Sequence, residues 1–179
     1  FSVSTGSTPG GVRVRGRELI NSVNSAGTTL VFGANNLSTP GVIQLNPTSF
    51  PRLTSYSGMY EFYKFHKAKV IFQSSQATTI AGAAELAVDY DAKDAAPAST
   101  IQMMRNISSS MSNIYADCAC EISGALSRLP KYATAQATSS DVDQINQATI
   151  YFAFEGVVAV NAPVGYILIE YDVEFFTPQ

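Results

Sequence analysis

The feature that most constrains this chain is a period of two. Ala84, Leu86, Val88 and Tyr90 fall on one parity, and Glu85, Ala87, Asp89 and Asp91 on the other. Ile114, Ala116, Cys118, Cys120 and Ile122 alternate in the same way with Tyr115, Asp117, Ala119 and Glu121. Ile150, Phe152 and Phe154 form a third set. Ile167, Ile169, Tyr171, Val173 and Phe175, against Leu168, Glu170, Asp172 and Glu174, form a fourth. Side chains of a strand point alternately to its two faces, so each set reads as a half-buried strand with its apolar parity on a core. The acidic parity of Gly82–Asp91 reads as a wet face.

Weaker signals fill in the rest. Val12–Val23 reads as a strand, with Val12, Val14 and Ile20 on one face and Arg13, Arg15 and Arg17 on the other. Thr28–Gly33 and Leu129–Ala137 read as short strands. Lys64–Gln73 is a strand with His66, Ala68, Val70 and Phe72 on its inner face. Leu53, Tyr56, Tyr60 and Tyr63 recur at helical spacing after Pro51, which predicts a short helix within Phe50–Tyr63. A second is expected within Ala95–Asn106. Phe1–Gly11, Asn35–Pro47, Ser139–Gln147 and Asn161–Gly165 read as an arm, two loops and a turn. About eight short strands and two inserted helices in one domain, 12–179 behind an arm at 1–11, predict an all-β antiparallel sandwich or barrel.

Composition narrows the setting. Of the 179 residues only 14% are charged, against roughly 25% in an average domain, and 46% are apolar. Two accounts stay open: much of the surface is covered by other subunits, or it is a Ser/Thr/Asn-rich surface of a monomer. No apolar run is long enough to span a bilayer and no signal peptide is present, so no membrane partner is expected. The Phe start predicts a processed product or the ordered part of a longer chain. Cys118 and Cys120 share a parity two residues apart, so they do not bridge each other readily. They read as small core residues of a reduced, intracellular protein.

Catalytic patterns are missing. There is no GxSxG, P-loop or HExxH, and His66 is the only histidine, read as a core or interface residue. The chain is not expected to be an enzyme. One constellation does carry chemistry. Asp89, Asp91 and Asp94 crowd carboxylates at a strand end, where they repel one another unless a cation intervenes. The spacing is not an EF-hand, because Asp94 and Thr100 stand where Gly and Glu are required. A partial calcium site and a helix cap at Asp94 are both open. The stripes Arg13/Arg15/Arg17 and Lys64/Lys67/Lys69 are each too sparse for a dedicated phosphate-binding face on a chain of net charge −3.

FPRLTSYSGMYEFYKFHKAKVIFQSS at Phe50–Ser75, TTIAGAAELAVDYDAKDAAP at Thr78–Pro97 and GYILIEYDVEFFTPQ at Gly165–Gln179 together resemble the shell domain of small icosahedral plant RNA virus coat proteins. The chain ends directly after the last strand of that shell, without the protruding domain of tombusvirus-type coats. The resemblance is therefore to sobemovirus coats first and necrovirus-like coats second. It implies an eight-stranded antiparallel jelly roll that self-assembles, in the host cytoplasm, into a T=3 virion around single-stranded RNA. It also implies calcium between subunits, held by the DxxD carboxylates Asp91 and Asp94 and by the neighbouring subunit's C-terminal end, here Gln179. RNA binding is expected mainly from a basic N-terminal arm outside this sequence. The rival reading is a lectin-like jelly roll that uses the same acidic loop for a calcium-dependent ligand.

Overall fold

The computed structural model describes residues 1–26, 31–32, 41–91, 93–123, 131–132, 142–155 and 160–179. The alternating stretches become strands and pack as two antiparallel sheets. The first sheet holds β1 (Ser2–Thr5), β2 (Val12–Ala26), β5 (Tyr60–Ser74), β8 (Cys118–Ser123), β9 (Lys131–Tyr132) and β11 (Val160–Pro178), in the order β1-β2-β11-β5-β8 with β9 on β5. The second holds β3 (Val31–Phe32), β4 (Val42–Gln44), β6 (Ala83–Asp89), β7 (Ser108–Asn113) and β10 (Thr149–Glu155), in the order β3-β10-β6-β7. β3 and β4 lie end to end along β10, opposite Phe154–Ala153 and Tyr151–Thr149. They share one strand position. With β1 and β9 set aside as edge additions, the two sheets offer eight positions, and strands adjacent in sequence lie in different sheets except β6 and β7, which pair directly. This is a jelly-roll sandwich, as the alternation and the resemblance require.

The core lies between the sheets. Ala84, Leu86, Val88, Ile114, Cys118, Ile122, Ile150, Phe152, Phe154, Ile167, Ile169 and Val173, all on the predicted inner parity, are buried in it. One end is closed by aromatic rings. Phe50 and Tyr63 both meet Phe65 edge-on, and Tyr56 stacks on Phe175. Both cysteines are free and buried, as expected. Burial, with a smaller push from Cys118, raises the Cys120 thiol to about 12.

Several local expectations are corrected. The helix within Phe50–Tyr63 is α1 (Pro51–Ser57), and the chain is already a strand at Tyr60. Tyr63 points inward, and its hydroxyl donates to the Leu45 carbonyl at 3.0 Å. The second helix is only α2 (Thr100–Met104), and Ser108–Asn113 after it is a strand whose run of serines, broken only by Met111, hid it. Val142–Ile145, within the expected polar loop, forms a third short helix, α3. Asn161–Gly165 is not a turn. β11 runs through it on irregular pairing, with register shifts either side of Pro163. Of the arm, Ser2–Thr5 pairs with Val12–Arg15 and so extends the sheet. The expected strands at Thr28–Gly33 and Leu129–Ala137 lie largely outside the described residues.

Two β-bulges reset the parity. Asp172 sits opposite Lys67 and Val173 opposite Phe65, so His66 is the extra residue on β5. Tyr63 and Phe65 point inward before it, and Ala68, Val70 and Phe72 after it. His66 therefore leaves the inner face to which simple alternation assigned it. In β2, Ile167 faces Asn21 and Leu168 faces Leu19, so Ile20 is extra. The inward phase moves from Val14 to Val23.

Candidate functional site

The acidic strand end sits at the C-terminal end of β6. Its outer face is not wet along its length. Glu85 and Ala87 are fully buried, and Met103 of α2 packs with Ala87, Tyr151 and Ala153 over that face. The exposed part begins where the helix cover stops. The Tyr151 phenol is pushed up, first by burial and then by the negative charges of Asp89 and Asp94. Beyond Tyr90 the chain folds on itself. The Asp89 Oδ1 accepts the Asp91 N–H at 3.0 Å and the Asp91 Oδ1 accepts the Lys93 N–H at 2.9 Å. The Asp94 N–H donates to the Asp91 carbonyl at 3.3 Å. Asp91 and Asp94 are both exposed.

This geometry decides one of the open questions. Ser99 caps α2, its Oγ accepting the Gln102 N–H at 3.3 Å, so Asp94 is not the helix cap. Among the described residues no three His, Cys, Asp or Glu side chains converge to hold a metal within one chain. The carboxylates form a partial set of hard oxygen donors, and calcium takes six to eight. Gln179 does not join them in the same chain. Its N–H donates to the Met59 carbonyl at 3.0 Å, beside the start of β5.

A second constellation lies on the outer face of the first sheet. Pairing sets Arg13, Glu174 and Lys64 in one row, Arg15, Asp172 and Lys67 in the next, and Arg17, Glu170 and Lys69 in a third. A column of carboxylates on β11 thus runs between a column of arginines and a column of lysines. The bulge at His66 is what brings Lys64 onto the same face as Lys67 and Lys69. Arg13 grips Asp172 with two bonds of 2.6 and 2.8 Å, and Arg15 adds a third at 3.0 Å. Burial pushes the Asp172 carboxyl up, but the two guanidinium groups outweigh it and hold it below its usual range. Arg17 and Glu170 are 3.7 Å apart.

Glu174 is the buried member of the column, 1% exposed. Its Oε1 accepts both the backbone N–H and, at 2.7 Å, the hydroxyl of Ser7. Its Oε2 lies 2.7 Å from the His66 Nε2. The turn that carries Ser7 is pinned by the Gly6 N–H on the Gly11 carbonyl at 2.8 Å. Side-chain bulk is excluded there, because a Cβ on Gly6 would stand 2.7 Å from the Glu174 Oε1. No local sequence signal announces this latch, since its parts come from residues 7, 66 and 174. Glu18 was also missed. It shares the parity of Val14, points inward, and accepts the Arg52 N–H at 3.3 Å.

Comparison with known proteins places these features. A search of curated protein sequences returned no match. Among solved structures, the fold is similar to that of Cucumber necrosis virus, with TM-score 0.83 and 20% identity over 96% of this chain and 58% of that one. It is similar to Tobacco necrosis virus, with TM-score 0.80 and 19% identity over 94% of this chain and 97% of that one. It is similar to Cocksfoot mottle virus, with TM-score 0.78 and 11% identity over 94% and 85%. The chain therefore spans little more than half of the Cucumber necrosis virus chain. At such identities these likenesses carry the fold alone. The sequence model of the viral coat protein S domain matches residues 3–179. With that match across nearly the whole chain, on a jelly roll of the same build, this protein belongs to the viral coat protein (S domain) family.

Proposed function

We propose that this coat domain assembles with copies of itself into a closed icosahedral shell of T=3 type around single-stranded RNA. The virion is its site of action and the host cytoplasm its place of assembly. The observation that carries this reading is the family match over residues 3–179. A charge content of 14% fits a domain that covers much of its surface against other copies. No catalytic role is assigned. Sobemovirus-type architecture is the finer proposal, supported by the likeness of the fold to that of Cocksfoot mottle virus. A necrovirus-type shell is the second reading, favoured by the 97% coverage of the Tobacco necrosis virus chain.

Calcium is proposed to bridge copies at Asp91 and Asp94. The support is chemical. Two exposed carboxylates at a strand end supply hard oxygens but too few of them, and a second chain is the proposed source of the rest. Gln179 of a neighbouring copy is the proposed contributor, since its backbone N–H is already engaged while its side chain sits in the exposed C-terminal end. When bound, the ion would neutralise carboxylates that otherwise repel one another across the contact. Electron microscopy and sedimentation of the purified chain with and without calcium test the assembly. Closed particles are expected. Only monomers or small oligomers across protein and calcium concentrations would replace the shell with a calcium-dependent binding module.

A further inference from the structure

We propose that the three-row face of β2, β11 and β5 is where this domain takes the sugar–phosphate backbone of single-stranded RNA. The proposal rests on the coat-protein reading and identifies the surface that reading leaves open. Read along the sequence, Arg13–Arg17 and Lys64–Lys69 are two sparse stripes. The fold makes them one surface, because β11 pairs with β2 on one edge and β5 on the other.

Six cations on this face meet four carboxylates, Glu170, Asp172, Glu174 and, beside Lys69 on β8, Glu121. The face is thus net positive on a chain of net charge −3. The division of labour between the columns matters more than the total. Arg13, Arg15 and Arg17 are engaged by Asp172 and Glu170. Lys64, Lys67 and Lys69 make no ion pair with any described residue. The arginines hold the acid column in place, and the lysines stand available for phosphate as mobile point charges. On this face lies an open groove of about 750 Å³, bordered by Arg15, Arg17, Lys67 and Lys69 together with Glu121, Glu170 and Asp172. Further along the same face, beyond Leu168, Tyr166 is 44% exposed and offers a ring on which a base can stack. Unpaired lysines beside a groove and an exposed aromatic suit a single strand better than a duplex, whose bases are already stacked.

The test uses this 179-residue chain and a fluorescein-labelled oligouridylate of about 16 nucleotides. Binding is measured by anisotropy across salt concentrations, on unassembled protein. Replacing all three lysines (Lys64→Gln, Lys67→Gln, Lys69→Gln) removes three phosphate contacts. The slope of log K against log salt should fall in magnitude by about 2, at about 0.7 per contact for a single strand. The wild-type chain should therefore lose about 20-fold more affinity than the variant between 50 and 200 mM salt. The matching Lys→Arg triple should keep the wild-type slope. Lys93→Gln with Arg105→Gln, away from this face, should also leave the slope unchanged.

An unchanged slope in the Gln triple overturns the proposal. So does an equal loss in the control pair, which would make the effect one of net charge only. Loss of particles by the Gln triple with its oligouridylate binding intact would make this face a contact between copies, and overturns it too. Failure of the wild type to form particles at all would sink the shell reading. The slopes would still decide the RNA surface.

Discussion

Glu174 shows how much one residue can depend on distant parts of the chain. The β11 alternation assigns it to the outer face, and it is on that face, yet it is buried because the turn at Gly6–Gly11 folds over it. Burial alone would raise its carboxyl. The two bonds from Ser7 and the contact with His66 outweigh burial and lower it below 4.5. A lowered carboxyl favours the folded state above its ordinary titration range and loses that contribution as pH falls through the lowered value. Arg13 stands beside it in the same row and is attracted by its charge. Glu174→Gln should cost about 2 kcal/mol at pH 7, read by urea unfolding, because bonds to a charged acceptor are exchanged for weaker ones. The cost should shrink below pH 4. An equal cost at pH 3.5 and pH 7 would show that the ionised carboxylate is not what holds the turn.

At the level of elements, bulges and close approaches set what alternation cannot. Deleting His66 would remove the extra residue of β5 and leave Phe65, Lys67 and Ala68 in unbroken alternation, with every other residue on its present face. Tyr63, Phe65, Ala68 and Val70 would stay inward and Lys64, Lys67 and Lys69 outward, and Glu174 would lose its contact with His66. The deletion variant should therefore keep cooperative unfolding, measured by near-ultraviolet dichroism. Loss of the cooperative transition would mean that β5 needs the bulge for more than its parity. Gly165 makes a different demand. It faces Ser74 across the ladder, and a Cβ there would run into the Gln73 carbonyl and lie 2.7 Å from the Phe72 ring. The carbonyl belongs to paired backbone and cannot swing away. Gly165→Ala should cost about 1–3 kcal/mol by denaturant titration, and a neutral result would mean that β11 shifts there freely.

For the whole molecule, stability in isolation and stability in the shell separate. The carboxylates of Asp91 and Asp94 lie outside the core, where substitution leaves the packing between the sheets untouched. Asp91→Asn with Asp94→Asn should therefore leave the unfolding midpoint of the unassembled chain within about 0.5 kcal/mol of wild type. In particles, the same pair should abolish the stabilisation proposed for calcium, read as melting temperature with and without chelator. Wild-type particles in chelator should stay compact at low pH, where protonation relieves the repulsion, and swell as the carboxylates ionise. Unaltered calcium-dependent melting in the double variant would remove Asp91 and Asp94 from the ion.

The sequence by itself determined the fold class, because inner-parity runs such as Ile167–Phe175 and Ala84–Val88 leave a strand only one way to bury its apolar side. It also marked the carboxylates Asp91 and Asp94 as unusual, since crowding along a chain needs no fold to be visible. Only the tertiary structure decided that Ser99 and not Asp94 caps α2, that Glu85 is covered by neighbouring elements, and that His66 leaves the core face. It alone joined Arg13–Arg17 to Lys64–Lys69 across β11 and brought Ser7 onto Glu174. The reason is range. Alternation is a local property of the backbone, while bulges, sheet order and cover are fixed by pairings between residues tens to more than a hundred positions apart, for which no short stretch carries a signal.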